Sequence, residues 1–281
     1  MILSYVSRTL RPLALAALLA VAAVPASHAA VWPDHVNLAY DWIFDPYIDI
    51  NFNSYASNPD IWTDADGKLH AVTKCGSFTA LLLKNAYPGV VTDTELTALT
   101  GSNSPYADQW YDAIDDEDSD ATSGIAFHKR SSAATIAAGD ILASAYTVSG
   151  DTGHVMTVKS ITLAAAGTSL PSGKSVPDVD SVNRYQVEVY DSTKDPHGAY
   201  ASHPVADTRY KRFDAKNNPV YVTDQGIGSG AIAIYEDADT GRIVAWAWNL
   251  SPTTTSFYYA VTPNGGGSSY RPMVAGYLSL P

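Results

Sequence analysis

The chain has 281 residues and a formal net charge of −12 at pH 7, from 17 Lys and Arg against 29 Asp and Glu. A chain this acidic is a poor binder of nucleic acid or of an anionic membrane surface, because its charge repels phosphate groups. Charged residues make up only 16% of the chain and tyrosine occurs 18 times, a composition that suits carbohydrate or peptide ligands.

Residues 1–30 have the three parts of a secretory signal peptide. Two arginines precede an apolar run over residues 13–24, and small residues follow up to Ala30. The run is shorter than the ~20 residues that a membrane-spanning helix needs, and no later segment is long and apolar enough. We therefore predict cleavage after Ala30, with Ala29 as the alternative site. Residues 31–281 are then exported to the periplasm or the medium, without stable membrane insertion. A retained membrane anchor is the alternative.

Residues 31–60 are rich in aromatic residues and in Asn and Asp, without a clear period. We predict an N-terminal arm that wraps the domain, with the aromatic rings as anchors. Residues 64–67 are a turn signal. They resemble a calcium-binding loop only weakly, because Trp62 and Thr73 stand where such a loop needs carboxylates. No metal site is predicted here.

The only cysteine of the chain, Cys75, lies at the start of the next predicted helix. The apolar residues of this segment repeat along one helical face: Phe78, Leu81, Leu82 and Ala86. Pro88-Gly89 ends the helix. With Thr73 as the N-cap, Cys75 falls in the first turn, where free backbone N–H groups and the helix dipole favour a thiolate.

An exported protein meets oxidising conditions, in which cysteines usually occur in pairs. A single cysteine forms no internal disulfide, so Cys75 is either an intermolecular bridge or a free thiol with a function. A cysteine buried as a small hydrophobic residue is the structural alternative. One cysteine and scattered histidines make no zinc-ligand cluster, and no cofactor is predicted.

Three further helices are predicted before the chain changes to strands. A capping pattern at residues 92–95 opens one, Ser104-Pro105 opens another that runs through Ile114, and a third covers residues 132–137. Strands are then predicted at residues 141–148, 154–163, 184–190, 231–235, 242–248 and 257–261. Helices first and an antiparallel sheet afterwards predict a single α+β domain over residues 31–281.

The glycine-rich run at residues 224–230 invites a comparison with phosphate-binding loops. It lacks the Lys and Ser/Thr of such a loop, and a predicted strand follows it rather than a helix. We therefore predict a flexible turn or a close approach of the backbone to a cleft.

Two polar residues lie at the ends of neighbouring predicted strands. His154 begins one strand, and Asp191 follows the next, with the Pro/Gly/Ser-rich loop at residues 166–180 between them. If these strands pair antiparallel, the start of one meets the end of the other, so Asp191 can accept the imidazole N–H of His154. Histidine is the usual base for a thiol nucleophile near neutral pH. With Cys75, the pair predicts a Cys-His-Asp arrangement.

Three short motifs resemble those of the papain-like NlpC-type cysteine hydrolases, which include bacterial cell-wall endopeptidases and amidases. They are the Cys-x-x-Phe that begins at Cys75, the run at residues 139–141 and the run at residues 153–155. The resemblance covers about residues 70–192 of this sequence. It implies a fold in which the nucleophile helix packs on an antiparallel sheet.

The resemblance also implies site residues and a substrate. Cys75 is implied as the nucleophile, His154 as the general base and Asp191 as the residue that orients the histidine. Peptidoglycan stem peptide is the implied substrate. The sequence departs from the usual Asp-Cys-Ser-Gly-Phe of the family, because Lys74 precedes the cysteine and the Gly and Ser are exchanged.

Our leading hypothesis is therefore an exported cysteine hydrolase that cleaves an amide bond. A transacylase on the same fold and a non-catalytic module that binds glycan or peptide are the alternatives. The oxyanion hole would use the backbone N–H of Cys75 and one further donor, with four candidates: Tyr55, Asn58, Trp62 and His70. Surface roles are predicted for His197 and His203, with a place in the lining of the cleft as the alternative for either. Residues 207–209 receive no role.

Overall fold

Strands form the largest part of the secondary structure in the computed structural model of this chain. The structure describes residues 33–44, 48, 52–118, 124–146, 150–198, 207–213, 219–221, 224–251, 256–262 and 269–281. These residues all belong to one compact unit. The predicted signal segment, residues 1–30, lies outside the described residues.

Thirteen strands occur in the described parts of the chain. In chain order they are β1 (Asn53–Tyr55), β2 (Asp60–Thr63), β3 (Leu69–Thr73), β4 (Ala126–Lys129), β5 (Ile141–Ala145), β6 (Gly153–Thr168), β7 (Val182–Thr193), β8 (Lys211–Phe213), β9 (Pro219–Tyr221), β10 (Gly226–Asp237), β11 (Ile243–Ala247), β12 (Phe257–Tyr259) and β13 (Met273–Ser279). Eight of them form one sheet in the order β12-β11-β10-β7-β6-β5-β13-β4. All neighbours in this sheet are antiparallel.

Two smaller sheets lie beside the large one in the topology. Strands β1, β3 and β2 form a three-stranded sheet in which β1 is parallel and β2 antiparallel to β3. Strands β8 and β9 pair with each other. Strand β3 ends two residues before Cys75, so the position of this small sheet fixes the position of the cysteine.

The described α-helices are α1 (Asp34–Phe44), α2 (Cys75–Ala86), α3 (Asp93–Thr100) and α4 (Ala107–Asp115). Within the described residues, none of these helices has the length and apolar character that crossing a membrane requires. Helix α1 and strands β1 and β2 lie in and beside the region predicted as an irregular aromatic arm. Local aromatic content therefore did not mark irregular structure.

The predicted α+β, papain-like fold is wrong. The described part of the chain is mainly β, with an eight-stranded antiparallel sheet, a three-stranded sheet and only short helices. Strand β6 continues beyond the predicted end at residue 163 to Thr168, because its pairing with β7 continues to that point. Strand β10 begins at Gly226, inside the run predicted as a turn. Cross-strand pairing, rather than local alternation, sets these strand lengths.

Helix α2 is held in place because it is buried on two sides. Phe78 and Leu82 pack in one cluster with Tyr190 of β7 and with residues of α1. Leu83 packs in a second cluster with Trp110 of α4. Full burial of such a side chain contributes about 1.5–3 kcal/mol. The start of α2 is therefore fixed against the middle of the large sheet.

The first turn of α2 differs from the prediction in its cap. Thr73, predicted as the N-cap, is the last residue of β3, and Lys74 is the N-cap. The Ser77 hydroxyl accepts a hydrogen bond from the Lys74 backbone N–H at 2.9 Å, which satisfies a donor at the helix start. The buried Thr73 hydroxyl donates to Ser192 at 2.9 Å, so the helix start is tied to the end of β7.

Candidate active site

Cys75 is the first residue of α2 and is 6% exposed. The next residue, Gly76, packs closely against the segment that leads into α4. A Cβ atom on Gly76 would lie 2.2 Å from the Pro105 carbonyl oxygen, so only glycine allows this close approach. The exchange of Gly and Ser relative to the resembled motif therefore has a steric reason in this chain.

His154 is the second residue of β6 and is buried. It is preceded by Gly153, which has a φ of +129° and whose added Cβ would lie 1.8 Å from the Ser144 carbonyl oxygen. A glycine is needed at this position because other residues avoid such a φ and would collide with β5. Strand β6 can thus begin close against β5 and carry His154 toward Cys75.

The predicted contact between His154 and Asp191 is confirmed. Strands β6 and β7 pair antiparallel, with Thr157 opposite Tyr190. The Nε2 atom of His154 lies 2.6 Å from Oδ2 of Asp191, and both side chains are buried. Nδ1 is the ring nitrogen that remains for the interaction with the Cys75 side chain.

The environment of Cys75 favours a thiolate. Burial by itself would raise the pKa of the thiol, but the charge and hydrogen bond of His154 and the backbone N–H groups of Val155 and Gly76 outweigh burial. The pKa of Cys75 is therefore lowered. Burial lowers the pKa of His154, but the charge of Cys75 and the hydrogen bond to Asp191 outweigh it and raise that pKa to about 9. A thiolate and an imidazolium are thus favoured together.

Asp191 is held as a carboxylate by cations on both of its oxygens. Burial would raise its pKa, but the charges of Arg209 and His197 and the hydrogen bonds from His154 and His197 hold the pKa well below its usual range. The Arg209 guanidinium donates to Oδ1 at 2.8 Å. The Nε2 atom of His197 lies 2.9 Å from Oδ2. Asp191 therefore stays charged while it orients His154.

The surface role predicted for His197 is wrong, because its ring is buried against Asp191 and Trp248. Its Nδ1 atom faces the Trp248 carbonyl oxygen at 3.0 Å, while Nε2 faces the carboxylate. Both ring nitrogens therefore face hydrogen-bond acceptors, which hold the ring between Trp248 and Asp191. His203 lies outside the described residues.

Arg209 is a second site residue that the sequence did not reveal. It is buried, and its guanidinium donates to both carboxylate oxygens of Asp207 at 2.9 and 2.8 Å and to the Gly226 carbonyl oxygen at 3.0 Å. Asp207 also accepts from the His197 backbone N–H at 2.8 Å. The run at residues 207–209 had no predicted role. It positions the Arg209 guanidinium, which binds Asp191.

The glycine-rich run was the available sequence signal for this support. Gly226, Gly228 and Gly230 are alternate residues of β10 and so share one face of the strand. An added Cβ would lie 2.8 Å from Nε of Arg209 at Gly228, and 2.7 Å from Cδ2 of His197 at Gly230. The predicted flexible turn is wrong. The backbone of this run closely approaches the buried side chains of Arg209 and His197, and not a cleft as predicted.

Cys75 and His154 line an open cavity of about 1070 Å³. Two of the four oxyanion candidates, Tyr55 and Asn58, line it as well. The side chains of the other two make contacts elsewhere: Trp62 stacks on His70, and His70 forms a hydrogen bond with a carboxylate of the β2–β3 turn.

The Tyr55 hydroxyl interacts with Cys75, and burial together with the charge of Cys75 raises the pKa of Tyr55. The hydroxyl therefore keeps its proton and can donate.

His154, Asp191 and His197 together have the donor types of a metal site, since one ligand atom from each lies within 4.8 Å of the others. Each histidine already contacts Oδ2 of Asp191 directly, and Oδ1 accepts a hydrogen bond from the Arg209 guanidinium at 2.8 Å. A divalent cation would have to share this carboxylate with a buried guanidinium, which repels it. The donor set fits a hydrogen-bond network better than a metal centre.

Comparison with known proteins leaves the site to be interpreted from its own residues. No family model, no curated protein and no solved structure matches this chain.

Proposed function

We propose that this protein is a cysteine hydrolase that cleaves an amide bond, with Cys75 as the nucleophile. One observation carries the proposal: Cys75 and His154 line the same open cavity, and Nε2 of His154 lies 2.6 Å from the buried carboxylate of Asp191. Although burial opposes it, the charge of His154 lowers the pKa of Cys75. A cysteine buried for packing alone needs neither a histidine partner nor a cavity.

The reaction proceeds through a thioester. The Cys75 thiolate attacks the amide carbonyl carbon, and the C–N bond breaks as the His154 imidazolium gives its proton to the leaving amine. Neutral His154 then takes a proton from water, and the resulting hydroxide attacks the thioester carbonyl. The C–S bond breaks, which releases the acid and restores the thiolate. Asp191 holds the imidazole and stabilises its charged form.

The oxyanion that forms on the carbonyl needs a hydrogen-bond donor. Tyr55 supplies its hydroxyl from the side of the cavity where it interacts with Cys75, and the backbone N–H of Cys75 is the second donor. Each such donor is worth about 2.7–4 kcal/mol of transition-state stabilisation.

The substrate class we propose is the stem peptide of peptidoglycan. The motifs around Cys75 and His154 resemble those of NlpC-type enzymes, and the signal-like residues 1–30 would export the protein to where that polymer lies. The proposal depends on these motifs and on the site, and does not involve a papain-like fold.

The proposal is tested with Cys75→Ala and the near-isosteric Cys75→Ser. Each is expected to slow the release of peptides from purified peptidoglycan by about a thousandfold or more, since the thiolate makes the bond that every later step needs. Release is measured by mass spectrometry, with thermal unfolding as the check on folding.

Unchanged peptide release by folded Cys75→Ala protein would exclude the proposal. Repeating the wild-type reaction with an added amine separates hydrolysis from acyl transfer, because a transacylase would join that amine to the released acyl group.

A further inference from the structure

Arg271 lies in the wall of the same cavity, with its guanidinium between two tyrosine rings. Its Cζ atom is 3.9 Å from the ring centre of Tyr146 and 3.8 Å from that of Tyr258. Its backbone is fixed by two hydrogen bonds: its N–H donates to Tyr259 at 2.9 Å, and its carbonyl accepts from Trp246 Nε1 at 3.0 Å. This cation is therefore firmly positioned.

Arg271 has no acidic partner among the residues that the structure describes. The ion pairs found there involve other cations, such as Arg130 with Asp140 and Arg209 with Asp191. The Nε atom of Arg271 is buried without a hydrogen-bond partner. In a chain with 29 acidic and 17 basic residues, a fixed guanidinium without a carboxylate is unexpected. A buried donor without a partner has a free-energy cost, so the protein groups around Arg271 do not fully satisfy its guanidinium.

The charge of the cavity wall differs from that of the chain. Three cationic side chains line it, from Lys74, Lys194 and Arg271, against two acidic ones, from Asp151 and Asp195. The cavity is therefore slightly positive in an otherwise acidic protein. This charge pattern favours an anionic ligand group.

Arg271, Tyr146 and the nucleophile Cys75 line the same cavity. The side chain of Tyr146 contacts Arg271, and the charges of both Arg271 and Cys75 act on the pKa of its hydroxyl. The tyrosine rings cover the two faces of the guanidinium, so a ligand can reach only the N–H groups at its edge. Paired N–H groups at one edge match the two oxygens of a carboxylate.

We propose that Arg271 binds a carboxylate of the substrate, so that the enzyme selects amides with an acidic group beside the bond it cleaves. This inference rests on the proposed function, since it assigns specificity to the site of Cys75. Arg271 is a specificity residue and takes no part in the bond-breaking steps.

The test uses probes that differ only in a carboxylate. The vinyl sulfones of Ala-Glu and Ala-Gln form one pair, and those of Glu-Ala and Gln-Ala form a second pair with the acid one residue further away. Labelling rates of Cys75 are followed by intact-protein mass spectrometry. In at least one pair, the acidic probe is expected to label wild-type protein about tenfold faster than its amide counterpart.

Arg271→Gln should bring this ratio close to one, and Arg271→Lys should keep part of it, because lysine retains the charge but lacks the paired donors. The matched control is Arg242→Gln, which removes the same charge from an exposed turn outside the cavity and should keep the wild-type ratio. Each ratio is measured within one protein sample, so a partial loss of folded protein cancels.

Equal rates within both pairs in wild-type protein, or a ratio that persists in Arg271→Gln, would overturn the inference. If no probe labels Cys75, the proposed function fails instead. The carboxylate site is then tested by calorimetry of the dipeptides Ala-Glu and Ala-Gln with Cys75→Ala protein. A preference for Ala-Glu that requires Arg271 supports the site, and the absence of any preference overturns it.

Discussion

The acidity of the Cys75 thiol depends mainly on one neighbour, His154. Burial opposes the thiolate, and the charge and hydrogen bond of His154 are the largest contributions that favour it. The reverse holds for His154, where the charge of Cys75 is the largest contribution that raises the pKa. The two residues are therefore one titrating unit, and either can be studied through the other.

Changing His154 to Ala should move the pH dependence of Cys75 alkylation upward. The wild-type rate with iodoacetamide should persist below the usual thiol range of about pH 8.5. In His154→Ala, only the backbone N–H groups of Val155 and Gly76 oppose burial, so the midpoint should lie at or above about 8.5. If the proposed reaction takes place, turnover should fall as the pH rises through about 9, because His154 then loses the proton that the proposal assigns to the leaving amine.

His128→Ala is the matched control, since His128 lies on β4 and does not line the cavity. Its alkylation profile should overlay that of the wild type. A profile of His154→Ala that also overlays the wild type would contradict the assignment of His154 as the partner of Cys75.

At the scale of elements, β10 is the strand whose backbone leaves space for the side chains that bind Asp191. Its glycines at alternate positions allow the side chains of His197 and Arg209 to lie directly on the backbone. A strand interior normally loses stability with glycine, because glycine has more conformational freedom to lose. In β10, the missing side chains are replaced by a buried network of charged groups.

Gly230→Ala should therefore damage the site more than it damages the fold. The new methyl group would lie 2.6 Å from Oδ2 of Asp207 and 2.7 Å from Cδ2 of His197, and overpacking of this kind costs about 1–3 kcal/mol. Because His197 must move away from Asp191, labelling of Cys75 by iodoacetamide at neutral pH should slow markedly. Urea unfolding and labelling rates measure the two effects.

Gly67→Ala separates this effect from general destabilisation. Gly67 has a φ of +78° with no atom within 4 Å of an added Cβ, so alanine costs only backbone strain, about 1–2 kcal/mol. Its labelling rate should equal that of the wild type. If Cys75 is labelled equally fast in Gly230→Ala and Gly67→Ala, the close packing on β10 does not influence the reactivity of Cys75.

At the scale of the whole molecule, the candidate site lies at one end of the central strands of the large sheet. Strands β10, β7 and β6 are adjacent, and each contributes to the buried network around Asp191. A buried charge network is costly to assemble, and it is strongly destabilising when one partner is removed. The network therefore links the stability of the fold to the protonation of the site.

Asp191 should contribute to acid unfolding. Its pKa is far below the ordinary value of 3.8, so its contribution is fully present above the unfolded-state pKa and is lost as the pH falls through the lower folded-state value. Asp191→Asn should lose about 3–5 kcal/mol at neutral pH, because Arg209 and His197 remain without their anion. Below the folded-state pKa, the variant and the wild type should converge.

The measurement is urea unfolding over a pH series. Asp93→Asn is the control, because Asp93 forms an exposed ion pair with Lys84 at 2.8 Å, and surface pairs contribute little. A difference between Asp191→Asn and wild type that stays constant down to the lowest pH would contradict the linkage.

Much of the core of the candidate site could be predicted from local sequence. Short-range patterns place Cys75 at a helix start, His154 at the beginning of a strand and Asp191 near the end of the next strand. Antiparallel pairing of neighbouring strands then brings the last two together. His197 and Arg209 could not be predicted in this way, because their positions depend on connections without a regular period and on a strand built later in the chain.

The sequence by itself therefore determined the Cys75 helix and the contact of His154 with Asp191, since each follows from neighbouring segments. Only the tertiary structure decided the mainly β fold, the burial of His197 and Arg209 behind Asp191, and the placement of Arg271 between two tyrosines. The physical reason is that strand length and cavity lining depend on pairing between segments far apart in the chain. Hydrogen bonds across β6, β7 and β10 extend strands where local alternation has already ended.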